Sequence, residues 1–154
     1  MEQAIVAGCI AVAALNLAPA VVGGAVWYRG RPDGGAARAF WVLLRVGQGS
    51  ALALALAVGS LAAAGHSASE GLFYLYALLP LAVAFVAEQL RAASAQTILD
   101  QHSLADAGAV GRLPEAEQHA LVSSILRREI GVMSLSAFVV VFLALRAAGT
   151  AHGF

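Results

Sequence analysis

Phe85-Val-Ala-Glu-Gln-Leu-Arg-Ala-Ala-Ser-Ala-Gln-Thr-Ile-Leu-Asp100 carries a carboxylate out of an apolar stretch and into an amphipathic one, with no Gly or Pro between the two. One helix can therefore run from membrane-like sequence into water-soluble sequence without a break. Before Glu88, the residues from Leu72 to Ala87 are apolar and include Pro80. After it, Ala92, Ala95, Ile98 and Leu99 fall on one side of a helix, and Arg91, Gln96 and Asp100 turn away from them. Glu88 is the one acid inside a long apolar run, so its surroundings decide how the chain is read.

Composition places those surroundings in a bilayer. The 154 residues are 60% hydrophobic and 12% charged, with a mean hydropathy of +0.81. An ordinary soluble domain is about half apolar and about one quarter charged. All nine basic residues are Arg, which with the abundant Ala and Gly suggests a GC-rich coding sequence and a bacterial inner (plasma) membrane. The absence of Lys removes lysine chemistry. The single Cys9 allows neither an intramolecular disulfide nor a paired-cysteine metal site. Zero formal net charge gives no electrostatic case for nucleic acid.

Outward from Glu88, four spans are expected, at about 4–28, 39–64, 72–90 and 130–148. The first is apolar except for Asn16 and is long enough to cross a hydrocarbon core of roughly 30 Å. Ala18-Pro-Ala20 has the form of a signal-peptide cleavage site, but no basic residue precedes the run and it continues through Tyr28, so it is read as a retained span with a kink at Pro19. In the second span Gly47, Ala51, Ala55, Gly59 and Ala63 recur every four residues as a ridge of small side chains. Such a ridge lets another helix approach closely in lipid and predicts a homo-oligomer. A turn is expected over Leu104 to Gly111. Leu113-Pro-Glu-Ala-Glu117 then has the form of a helix start. Leu121, Val122, Ile125 and Leu126 make an apolar stripe ahead of Arg127-Arg-Glu129 and the fourth span. The fold expected is an all-α integral membrane protein, an up-down bundle of four transmembrane helices. Its third and fourth helices extend into a cytoplasmic helical hairpin at about 91–129.

Arginine counts set an orientation. Arg29, Arg31 and Arg38 belong to the first loop, and Arg91, Arg112, Arg127 and Arg128 to the third, while the second loop has none. The positive-inside tendency puts the first and third loops in the cytoplasm and both termini outside. Trp27, Tyr28, Phe40 and Trp41 at one interface, with Phe73, Tyr74 and Tyr76 at the other, read as aromatic belts.

Four polar side chains are candidates for a ligand site. Arg45 lies about 9 Å into its span by helical rise, where an ionisable group is a functional hypothesis by default. Glu88, on an antiparallel neighbour near the same interface, could pair with Arg45 or locally with Arg91. Gln48 is one turn deeper than Arg45, and Asn16 is near mid-depth on the first span. If these point inward together, they line a polar pocket for a small anion, a proton or a lipid head group, with Arg91 at its edge. If they do not, they snorkel or act as interhelical hydrogen-bond glue. The histidines His66, His102, His119 and His152 show no i, i+4 pair, so neither a metal nor another cofactor is expected. Ile98 and Leu99, facing Leu121 and Ile125, are expected to close the hairpin and to offer any surplus apolar surface to a membrane partner protein.

Arg45-Val-Gly-Gln48 and the four-span layout with outside termini loosely resemble the membrane-associated eicosanoid and glutathione enzymes. The Arg-x-x-x-Asn-x-x-Glu style pattern of that family is not met, because Gly49 and Leu52 stand at those positions. The family's chemistry is therefore not carried over. Two function classes remain, a binding or transport module built on the polar pocket and a non-catalytic accessory or scaffold subunit using the hairpin; a membrane-embedded enzyme ranks third.

Overall fold

The computed structural model describes residues 1–102 and 107–152, and every regular element in them is helical. In chain order these are α1 (Glu2–Arg29), α2 (Gly35–Ala63), α3 (Gly71–Gln101), the single turn α4 (Ala107–Val110) and α5 (Glu115–Thr150). The helices α1, α2, α3 and α5 are each long and apolar enough to cross a membrane. The stretch around Glu88 lies within one uninterrupted α3, and the 36 residues of α5 likewise join the amphipathic start to the apolar run. Both α1 and α3 continue through their prolines, Pro19 and Pro80. The expected turn from Leu104 falls partly on residues 103–106, outside the described residues. Gly30, at a φ of 65°, ends α1 in the left-handed conformation that a side chain disfavours.

Around the bundle the order is α2, α1, α5, α3. α5 packs along both α1 and α3, α1 packs along α2, and α2 and α3 meet over a shorter length to close the ring. Lipid tails are as apolar as Leu, so close approach and hydrogen bonding hold such helices together more than any tendency to leave solvent. Glycines create the approach. A methyl group on Gly23 of α1 would lie 2.5 Å from the Phe40 ring of α2 and 2.9 Å from Cβ of Ser134 on α5, so three helices converge on that position. The Ser134 hydroxyl donates to the Ala20 carbonyl at 2.8 Å beside it. Gly131 of α5 similarly receives the Trp27 indole.

Buried side chains form three groups along the bundle. Phe40, Leu44, Ile130 and Met133 fill one end, Val12, Ala51 and Val140 the middle, and Cys9, Val58, Phe73 and Ala147 the other end. The small-residue ridge of α2 takes part in this packing. Gly47, Ala51 and Ala55 are buried in the chain itself, with Asn16 of α1 against Gly47, while Gly59 and Ala63 are exposed. The first half of the ridge is therefore taken by a helix of the same chain, because a period-four repeat demands a close neighbour without saying whose. Of the ridge from which a homo-oligomer was expected, Gly59 and Ala63 remain on the surface.

Trp41 lies against Arg91 and Trp27 against Arg127. The segments expected to form a separate hairpin thus begin alongside α1 and α2. Ile98 and Leu121 are buried in the chain, and Leu99 and Ile125 are half-buried.

These contacts predict different outcomes for two glycine substitutions. G23A should overpack the three-helix junction and cost about 1–3 kcal/mol, lowering the thermal midpoint in detergent. G59A, with nothing within 4 Å of the added methyl, should be neutral or raise the midpoint. Equal tolerance of both would show that the helices do not converge at Gly23.

Candidate functional site

Two short polar ridges on antiparallel helices meet near one end of the bundle. On α3, Glu88 and Arg91 are three residues apart and share a helix face. On α2, Trp41, Arg45 and Gln48 are spaced by four and three residues and form the facing ridge. The Arg45 guanidinium donates through Nη1 to Oε1 of Glu88 at 2.7 Å and to Oε1 of Gln48, also at 2.7 Å. Nε of Arg91 lies 3.0 Å from the other Glu88 oxygen, Oε2. The Arg91 guanidinium also stands 5.4 Å over the Trp41 ring, a cation–π arrangement that continues the contact between the same two helices. The sequence left Arg45 and Arg91 as competing partners of Glu88; the carboxylate takes one with each oxygen.

A fourth ionisable group lies near this layer. Glu129 of α5, half-buried, is within electrostatic reach of both Arg91 and Glu88. In sequence Glu129 only follows Arg127 and Arg128 ahead of the fourth span, and its proximity to Glu88 depends on the rotation of α5, which spacing within α5 alone does not give.

Asn16 stands apart from the cluster. It is only 2% exposed, and its Nδ2 donates to the Val12 carbonyl at 2.9 Å and across to the Gly47 carbonyl at 3.2 Å. The bare Gly47 backbone is what admits the amide, since a Cβ there would come within 2.8 Å of Asn16 Oδ1. Asn16 therefore ties α1 to α2, while Arg45 and Gln48 turn towards α3. The four side chains expected to line one inward cavity form two separate features, one buried clamp and one ion cluster at the seam. The Arg45 side chain retains 55% of its exposure and the Glu88 side chain 27%, so the cluster is open on the α2 side.

The histidines lie away from this layer. Nδ1 of His102 is 2.9 Å from the Ile98 carbonyl, and His152 is 3.3 Å from Glu2 at the opposite end of the bundle. Comparison with protein-family models, with curated proteins and with solved structures returned no match. The geometry of the chain itself carries the functional argument.

A double-mutant cycle on R45Q and E88Q should give a favourable coupling of about 0.2–1 kcal/mol, the range for a pair that stays partly exposed. E88Q alone should cost more than R45Q, because it leaves two guanidiniums without their carboxylate. Strict additivity of the two single substitutions in thermal unfolding would contradict the bond between α2 and α3.

Proposed function

We propose that the chain is a multi-pass protein of a bacterial inner membrane and serves as a non-catalytic accessory subunit, its ion cluster marking the cytoplasmic boundary and clamping α2 to α3. The observation that carries this reading is the double pairing of Glu88, both of whose oxygens are engaged by arginines, one from each helix. Groups that satisfy one another are suited to holding helices in register. The clamp also joins α2 and α3, which pack together less extensively than α1 does with α2 or α5 with α3.

The spacing of polar layers supports the boundary. By helical rise, Arg45 stands about 27 Å from Ala63 along α2, and Glu129 about 26 Å from Arg146 along α5. Both lengths approach a hydrocarbon thickness of roughly 30 Å. Trp27 and Trp41 mark the first layer; at the other, Arg146 stands 5.6 Å over the Tyr76 ring. On this reading Arg45 is at the membrane edge, and the preceding turns of α2 are interfacial. The Arg-rich loops after α1 and between α3 and α5 then face the cytoplasm, with both termini outside. Ile98 and Leu121 are buried on the cytoplasmic ends of α3 and α5, and the half-buried Leu99 and Ile125 retain the surface through which a partner would be met.

A second reading is favoured by one feature of Arg45. Its bonds to Gln48 and Glu88 both leave from Nη1 while the side chain stays 55% exposed, so its other nitrogens could hold a small anion or lipid head group, with Gln48 and Glu88 orienting the guanidinium. Transport would further require a path through the bundle, and the separation of Asn16 from the cluster counts against one.

Cysteine placed at Gln48 in a Cys9→Ser background separates the readings. Protection from a small aqueous thiol reagent is expected of a closed clamp, and rapid reaction would favour the open anion site. For the accessory role, L99E together with I125E should abolish co-purification of a partner from native membranes without lowering expression. Recovery of the chain alone, with or without these substitutions, would remove the case for a partner.

A further inference from the structure

The seam between α1 and α5, across the bundle from Glu88, contains a cleft of about 420 Å³ lined by Trp27, Gly30, Ser123, Ser124, Arg127 and Arg128. Its lining holds two guanidiniums and two hydroxyls and no acid. Arg127 is fixed from one side. Its Nε donates to the Trp27 carbonyl at 3.1 Å and its Cζ stands 5.9 Å over the Trp27 ring, which leaves the two terminal nitrogens as donors in a fixed plane. Gly30, whose positive φ disfavours a side chain, lies beside the guanidinium: a Cβ there would stand 3.9 Å from Arg127 Cζ, an ordinary contact. Arg128 is exposed beside it. The next residue, Glu129, is half-buried on α5 and takes no part in the lining of the cleft.

The Ser124 hydroxyl donates to the Leu121 carbonyl at 2.7 Å, so the donors that face the cleft are the two guanidiniums and the Ser123 hydroxyl. Paired guanidiniums suit an oxyanion with several acceptor oxygens, because Arg presents a planar fork that matches phosphate. We propose that this cleft is a binding site for a phosphate oxyanion, supplied by the head group of an anionic phospholipid. The phosphate chemistry follows from the lining. The lipid source rests on the membrane reading above, in which Trp27 sits at the interface where phospholipid phosphates lie.

The test uses the full chain in a neutral detergent, with tryptophan fluorescence during thermal unfolding as the readout. Dihexanoyl phosphatidylglycerol, dihexanoyl phosphatidylcholine and inorganic phosphate are titrated separately. Phosphatidylglycerol should raise the midpoint saturably and phosphatidylcholine should not. R128Q should weaken the apparent affinity about tenfold, the effect of losing one charge-assisted hydrogen bond, and R128K should recover part of it. R38Q, which removes the same charge from exposed α2 surface, should change it less than about twofold. A shift produced equally by inorganic phosphate, with the same dependence on Arg128, would keep the oxyanion site and move its source from lipid to solution, even if the membrane reading failed. No saturable shift with any probe, an equal response to phosphatidylcholine, or an equal loss in R38Q and R128Q would overturn the proposal.

Discussion

The carboxylate of Glu88 is held between two arginines that reach it from different helices, and much of the structure depends on that arrangement. Its local bond to Arg91 orients both side chains on α3, and its bond to Arg45 sets the height of α2 against α3. Elsewhere the helices are registered by contact with α1 and α5. At Gly23 three helices come close enough to exclude a methyl group, and Asn16 crosses to the Gly47 carbonyl. The α2–α3 seam has less such packing, so a polar bond contributes most where apolar contact contributes least. A bond between charges is tolerated there because both side chains keep part of their exposure.

Much of this architecture could be read from the residues in order. Four apolar runs of sufficient length give four long helices, and the lack of Gly or Pro after Glu88 gives a continuous α3. The i, i+3 spacing made Arg91 a partner of Glu88, and antiparallel neighbours at matching depth made Arg45 another. What escaped was rotation about the helix axes. Depth along α1 placed Asn16 near the level of Gln48 but not the direction it faces, so it was grouped with Arg45 when its bonds go to backbone carbonyls. The ridge from Gly47 implied a close helix, and only the packed bundle shows that α1 of the same chain covers its first half. Glu129 and the α1–α5 cleft were missed for the same reason: their members come from different helices and share no pattern in any one segment.

The rotation also gives the bundle two unlike polar faces at one end. At the α2–α3 seam, positive and negative groups neutralise one another around Glu88. At the α1–α5 seam, Arg127 and Arg128 have Trp27 beside them and no acid in the lining. Both lie near one height because α1 and α2 end beside the segments of α3 and α5 that carry these arginines. A membrane boundary is the simplest physical reason for charges and tryptophans to gather in one layer, with about 26–27 Å of apolar helix between it and the opposite ends of α2 and α5.

That boundary can be located by spin labels at the outward-facing positions Val42, Val46, Leu52 and Leu56 of α2, in protein reconstituted into bilayers, with collision rates compared for oxygen and a water-soluble relaxant. Oxygen should dominate at Leu52 and Leu56, the two should balance near Val46, and the water-soluble reagent should dominate at Val42. Oxygen dominance at Val42 as strong as at Leu52 would put Arg45 and Glu88 inside the hydrocarbon and contradict their role as the membrane edge.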